Sequence, residues 1–83
     1  MVLLHGGKVF VFEFKMVELS ADATSEEREM KGEEAVKAAI GQIRDRGYMD
    51  KYRRRQEPMF LIGMAFDRSG KGEKPLALKA VPA

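Results

Sequence analysis

The strongest constraint on the fold is an alternating stretch, Lys8–Met16, with the sequence KVFVFEFKM. Side chains of a β-strand alternate between its two faces, so the three phenylalanines share one face and the valines share the other. We expect the aromatic face to point into a core. The opposite face begins apolar and ends with Glu13 and Lys15, which project side by side because they are two residues apart. This acid and this amine are therefore the first candidates for a functional site.

Length and composition exclude several classes of site. The chain has 83 residues, which predicts a single small domain, residues 1–83. It contains no cysteine and one histidine, His5, so disulfides, thiolate nucleophiles and sites built from several cysteines or histidines are excluded. A bound metal would have to be a hard ion held by carboxylates. The sequence has neither a signal peptide nor the roughly 20 apolar residues that span a bilayer, which predicts a cytoplasmic protein with no membrane partner.

The first half of the chain predicts a hairpin followed by a helix. Gly6 and Gly7 separate two apolar runs and favour a type I′ turn, which pairs Val2–Leu4 antiparallel with the alternating strand. Thr24 or Ser25 is a candidate N-cap, and Thr24 with Glu27 three residues later has the spacing of a capping box. The segment after it is rich in helix-forming residues up to position 46, although we expect Gly32 to divide it into two pieces.

The second half of the chain predicts two more strands. Met59–Phe66 is almost continuously apolar, which favours a central strand buried on both faces, and Pro75–Val81 alternates as an edge strand would. The helix is long enough for a right-handed crossover, so we expect the second and third strands to be parallel. The predicted fold is α/β: a β-β-α-β-β mixed sheet with one main helix packed on it.

The pair Glu13 and Lys15 has two interpretations. An E-x-K sequence on a strand is most often a surface ion pair. As a functional site, the carboxylate could hold a divalent ion while the ammonium stabilises negative charge that develops during attack on phosphorus. Such a site normally contains a second carboxylate, and the adjoining strand, Val2–Leu4, does not supply one.

Three segments together resemble the PD-(D/E)xK nuclease superfamily, which has a restriction-endonuclease-like core. The segments are VFVFEFK (Val9–Lys15), AAIGQIRDRGYMDKY (Ala38–Tyr52) and PMFLIGMAFD (Pro58–Asp67). They are most similar to the branch found C-terminal to AAA-type ATPase-like modules of bacterial proteins. Their combination is far more specific than any one of them alone.

The resemblance implies roles for individual residues. Glu13 would be the second acidic ligand of a Mg²⁺ ion, with the carbonyl of Phe14 near the ion, and Lys15 would be the catalytic lysine. Gln42 and Tyr48 would match the glutamine and tyrosine that support the site in this family. The first metal-binding Asp of the family would fall immediately before Met1, and the leading helix of the family is missing. We therefore expect the chain to be inactive or weak as a nuclease on its own.

Each of the supporting residues also has a purely structural interpretation. Helical periodicity places Gln42 about 20° outside the apolar arc, where a polar boundary residue is common. Tyr48 could be a core aromatic with its hydroxyl in water. The chain also has a locally basic segment, which is either a solvated surface or a contact for DNA phosphates. The candidate phosphate-binding residues of this segment are Lys51, Arg53, Arg54 and Arg55.

Three functional interpretations therefore follow from the sequence. The first is a nuclease-like domain related to metal-dependent DNA phosphodiester hydrolases. The second is a non-catalytic module derived from a nuclease fold, in which a homodimer mate or a protein partner covers an exposed sheet face. The third, which depends only on the basic segment, is a small nucleic-acid-binding domain with no hydrolytic ancestry.

Overall fold

A computed structural model describes residues 1–47, 57–68 and 75–83. The strands are β1 (Val2–His5), β2 (Lys8–Val17), β3 (Met59–Asp67) and β4 (Ala77–Pro82), and the helix α1 (Ser25–Asp45) lies between β2 and β3. They form one sheet in the order β1-β2-β3-β4, in which β2 and β3 are parallel and both outer pairs are antiparallel. The predicted α/β fold class, the β-β-α-β-β order of elements along the chain and the parallel pairing of β2 and β3 are confirmed.

The hairpin of β1 and β2 has the turn that its glycines predict. Gly6 and Gly7 have φ angles of 59° and 72°, which is the left-handed region that a type I′ turn requires at both central positions. Val2 pairs with Val11, and the backbones of Met1 and Phe12 exchange two hydrogen bonds at the far end of the ladder. The register of β1 on β2 is thereby fixed over its whole length.

Helix α1 is continuous, so the expectation that Gly32 divides it is wrong. Thr24 caps the helix, because its hydroxyl accepts a hydrogen bond from the backbone N–H of Glu27 at 3.1 Å. Gly32 is buried where the helix crosses the first residue of β4, and a Cβ added there would lie 3.1 Å from the Cβ of Ala77. Glycine at this position serves the close approach of helix and sheet rather than a break.

The core lies between α1 and one face of the sheet. Its buried side chains are Val9, Val11, Val36, Ala39, Ile40, Ile43, Leu61 and Ala65. The residues of β3 that face the helix are small toward its end, and a Cβ added to Gly63 would lie 2.8 Å from the carbonyl oxygen of Val36. The helix therefore packs with its backbone almost against β3.

The expectation that the phenylalanines face the core is wrong. They lie on the other face of the sheet, where Phe10 stacks on Phe60 at 5.7 Å between ring centroids and Phe14 meets Phe66 at 6.1 Å. Phe14 remains 47% exposed. The helix covers the valine face instead, because small side chains there allow it to approach closely. The expectation that the third strand is buried on both faces is also wrong. Among the described residues α1 covers one face of β3, and the even-numbered residues on the other face are half-buried.

Among the described residues, no helix is both long enough and apolar enough to cross a membrane.

Candidate functional site

Glu13 and Lys15 lie on the face of β2 that α1 covers. They continue the odd-numbered series that begins with the fully buried Val9 and Val11. In the parallel ladder Glu13 is opposite Gly63 and Lys15 is opposite Ala65, and both charged residues are half-buried. The predicted side-by-side arrangement of acid and amine on one strand face is therefore present in the structure.

Glu13 has a partner that the sequence did not indicate. Its Oε2 accepts a hydrogen bond from Nη1 of Arg46 at 3.1 Å, and the two groups form an ion pair. Arg46 is the C-cap residue of α1. The Glu13 side chain is only 15% exposed, whereas that of Arg46 is 52% exposed. A mostly buried carboxylate is thus held by a cation that stands at the surface.

Gln42 lies one helical turn before Arg46, on the same side of α1. Its Oε1 is buried and has no hydrogen-bond partner in the part of the chain that the structure describes. An unsatisfied buried acceptor costs about 1–3 kcal/mol, so this oxygen is available to accept a hydrogen bond from a water or a ligand at the site. The helical boundary position predicted for Gln42 is consistent with its half-buried state.

The backbone carbonyl of Phe14 points to the side of β2 on which β1 lies. Along a strand, successive residues direct their backbone groups alternately to the two sides, and Phe12 directs its groups toward Met1. Phe14, two residues further on, points to the same side, beyond the N-terminal end of β1. Within residues 1–47, 57–68 and 75–83, no neighbouring strand pairs with it on that side. This backbone oxygen, next to Glu13 in the chain, is a candidate ligand for a cation.

Together these groups provide oxygen donors of the kind that a hard divalent cation prefers. They are the carboxylate of Glu13 and the backbone carbonyl of Phe14. The described residues contain no group of three or more acidic, histidine or cysteine side chains that could hold a metal ion. Mg²⁺ commonly keeps several waters and binds through one or two carboxylates together with substrate phosphates. The residues present fit a weakly held Mg²⁺.

The other acid on the helix-covered face, Asp67, is too distant to complete this set. It ends β3 opposite Val17, four residues beyond the level of Glu13, which corresponds to about 13 Å along the sheet. Its Oδ2 lies 3.5 Å from Nη2 of Arg28 on the first half of α1. We interpret this ion pair as a structural link between helix and sheet.

Five of the predicted site residues lie outside the described residues. They are Tyr48, Lys51, Arg53, Arg54 and Arg55. Their roles at the site and in DNA binding stay predictions from the sequence.

A mixed sheet with a parallel crossover helix, and with an acid-x-lysine strand facing that helix, defines a restriction-endonuclease-like nuclease core. The sequence profile of the PD-(D/E)XK nuclease superfamily matches residues 1–72, and the chain therefore belongs to this superfamily. A protein of Azotobacter chroococcum mcd 1, named "Uncharacterized protein in vnfD 5'region", is 38% identical over 71 residues. The match covers 86% of the chain but only 11% of the length of that relative. No solved structure matches the chain.

Proposed function

We propose that this domain provides part of a divalent-metal-dependent site for hydrolysing phosphodiesters in DNA, and that by itself it is inactive or weakly active. The observation that carries the proposal is the placement of Glu13 and Lys15 on one strand face, with the carbonyl of Phe14 between them in the chain. Glu13 and the Phe14 carbonyl are the residues that would hold Mg²⁺. When bound, the ion supplies Lewis-acid stabilisation of charge on phosphoryl oxygens.

The chain's own side chains have two further tasks in this proposal. The ammonium of Lys15 stands on the same face as Glu13 and is the catalytic residue, because it can donate hydrogen bonds to a phosphate oxygen as negative charge develops there. Gln42 is a positioning residue, since its buried amide oxygen is an acceptor for a donor at this site. The helix and the sheet hold these groups in place before substrate arrives, which lowers the reorganisation needed for reaction.

The proposed weakness follows from the carboxylate count, and the register of the hairpin identifies where a second carboxylate would act. Because Met1 pairs with Phe12, a residue joined before Met1 would pair with Glu13. Such a pair is of the non-hydrogen-bonded kind, with Cα atoms about 4.5 Å apart and side chains on one face. Family resemblance assigns the first acidic ligand to the same position.

An N-terminal extension tests this proposal directly. We would compare a short extension that ends in Asp directly before Met1 with a matched extension that ends in Asn. We expect the Asp form to bind Mg²⁺ at least tenfold more tightly, because two carboxylates then share one ion. The readout is an NMR titration that follows the amides of Glu13 and Phe14, together with nicking of plasmid DNA.

Two controls separate binding from catalysis in the extended protein. Lys15→Ala should leave Mg²⁺ binding within about twofold and abolish nicking, while Glu13→Gln should abolish both. Equal Mg²⁺ affinity of the Asp and Asn extensions would contradict the proposed site. Nicking that survives Lys15→Ala would remove the catalytic role of the lysine.

The proposed function also includes contact with DNA phosphates and a position within a longer polypeptide. Four basic residues between positions 51 and 55 support phosphate contacts without base recognition, since they offer charge but no base-reading element. The small share of the Azotobacter relative that the chain covers supports a role as one domain of a longer polypeptide. The resemblance of this chain to the branch that follows AAA-type ATPase-like modules supports such a module as the neighbouring domain. DNA as substrate is compatible with the predicted cytoplasmic location.

A second candidate function is a non-catalytic interaction module. The observation that favours it is the apolar face of the sheet opposite α1. Its exposed members include Leu3, Phe14 and Met16, which are 49%, 47% and 54% exposed respectively. Contiguous apolar surface of this kind usually marks a site of association, with a second copy of the chain or with a protein partner.

A further inference from the structure

We propose that Arg46 is an internal counter-ion that occupies Glu13 until a metal ion binds, and that it thereby sets the metal affinity of the site. This inference rests on the proposed function, because it assumes that Glu13 is a metal ligand. It concerns a residue to which neither the sequence motif nor the family match assigns a role.

Burial explains why Glu13 needs a counter-ion. Its side chain is 15% exposed, and a carboxylate with so little contact with water is costly to leave without a partner. Arg46 satisfies it with a charge-assisted hydrogen bond of 3.1 Å from Nη1 to Oε2. Arg46 is the single cation within ion-pair distance of Glu13 among the described residues. The guanidinium thus orients the carboxylate in the absence of metal.

The exposure of Arg46 explains why the counter-ion can leave. Its side chain is 52% exposed and is attached to the C-cap residue, at the very end of α1. Withdrawal of the guanidinium into solvent therefore requires a rotamer change of one surface side chain and no opening of the core. The buried side chains nearest to it along the helix, Ile40 and Ile43, stay in place.

Arg46 and a divalent ion compete for the same oxygen. The guanidinium donates to Oε2 of Glu13, and a cation bound there would stand within a few ångströms of a second positive charge, which repels it. We expect metal binding to displace Arg46, so the apparent affinity is the intrinsic affinity multiplied by the fraction of molecules in which the ion pair is open. For a pair with one exposed partner, we expect a reduction of about three- to tenfold.

The test compares four variants in Mg²⁺ titrations of the chain as it stands, followed by the NMR shifts of the Glu13 and Phe14 amides. Arg46→Ala should bind Mg²⁺ about three- to tenfold more tightly than the wild type. Arg44→Ala is the matched control, since it removes the same charge from the same helical turn, and it should change the affinity less than twofold. Arg46→Lys keeps a cation and should remain within about twofold of the wild type. Glu13→Gln should abolish the shifts.

A second readout does not depend on any substitution. In the wild type, the guanidinium NMR signals of Arg46 should show hindered rotation before metal is added, and this hindrance should disappear as Mg²⁺ saturates Glu13. If Arg46→Ala reduces the helical circular dichroism signal, the guanidinium NMR measurement on the wild type takes the place of the affinity comparison.

The outcomes distinguish the two proposals. Mg²⁺ binding that depends on Glu13 but is the same in Arg46→Ala and in the wild type would overturn the counter-ion role and leave the proposed function intact. Guanidinium signals that stay hindered at saturating Mg²⁺ would also overturn it. Absence of Glu13-dependent binding in every form, including the Asp-extended protein, would overturn the proposed function itself.

Discussion

Two glycines differ in their role, because one sets the distance between helix and sheet and the other does not. Gly63 is opposite Glu13 in the ladder, and a Cβ added there would lie 2.8 Å from the carbonyl oxygen of Val36. Real Cβ atoms do not come so close to a backbone oxygen, so the helix would have to move away. Gly41, in contrast, is in the helix with no atom within 4 Å of an added Cβ. The first glycine is required by packing, whereas the second only weakens the helix.

We therefore expect opposite effects from the same substitution at these two positions. Gly63→Ala should lower the free energy of unfolding by about 1–3 kcal/mol through overpacking. Gly41→Ala should raise it by about 0.5–1 kcal/mol, because alanine has the higher helix propensity. Urea denaturation measures both, and Gly41→Ala serves as the control for introducing a methyl group. A neutral or stabilising Gly63→Ala would show that α1 does not approach β3 as closely as described.

At the same scale, the sequence predicted part of the site. Strand alternation was sufficient to place Glu13 and Lys15 on one face, because that rule is local. Helical periodicity placed Gln42 at a boundary for the same reason. The contact of Arg46 with Glu13 joins residues 33 positions apart and depends on how the helix crosses the sheet, which no local pattern contains. A hint existed in the spacing, since Arg46 follows Gln42 by four residues and shares its side of the helix.

At the scale of the elements, the start of α1 depends on Thr24. The hydroxyl satisfies the N–H of Glu27, one of the four donors that a helix leaves unpaired at its N-terminus. Thr24→Ala should lower the free energy of unfolding by about 1 kcal/mol, whereas Thr24→Ser should retain most of the stability because serine caps equally well. Thermal denaturation followed by circular dichroism measures the difference. An equal loss in both variants would mean that the threonine methyl group, not the cap, carries the effect.

The choice of covered sheet face was predictable only from two strands together. Taken alone, β2 offers valines on one face and phenylalanines on the other, and the larger side chains suggested the core. In β3, however, the series that shares the valine face continues from Leu61 to Gly63 and Ala65, and the last two are small enough to admit a helix at close range. The parallel register that joins the two series is a tertiary property, so the pattern of one strand could not decide the question.

At the scale of the whole molecule, the described residues form two layers, α1 on one side of a four-stranded sheet. Within the part of the chain that the structure describes, one face of the sheet is covered and the core is small, and small cores give little stability. The apolar residues on the opposite face make association more favourable with any surface that removes them from water. Stability and association are therefore expected to be coupled in this protein.

That coupling gives a prediction for self-association. If the face opposite α1 is an interface between two copies, lysine at both Leu3 and Met16 should weaken dimerisation at least about tenfold, because each charge would lose water on association. Met30→Lys is the control, since Met30 is 62% exposed but lies on the helix. Sedimentation equilibrium measures the association constant of each form. A wild-type chain that stays monomeric at high concentration would exclude the homodimer, and equal weakening by Met30→Lys would place the interface elsewhere. The same lysines should not change Mg²⁺ binding at Glu13, because the two faces of the sheet are separate surfaces.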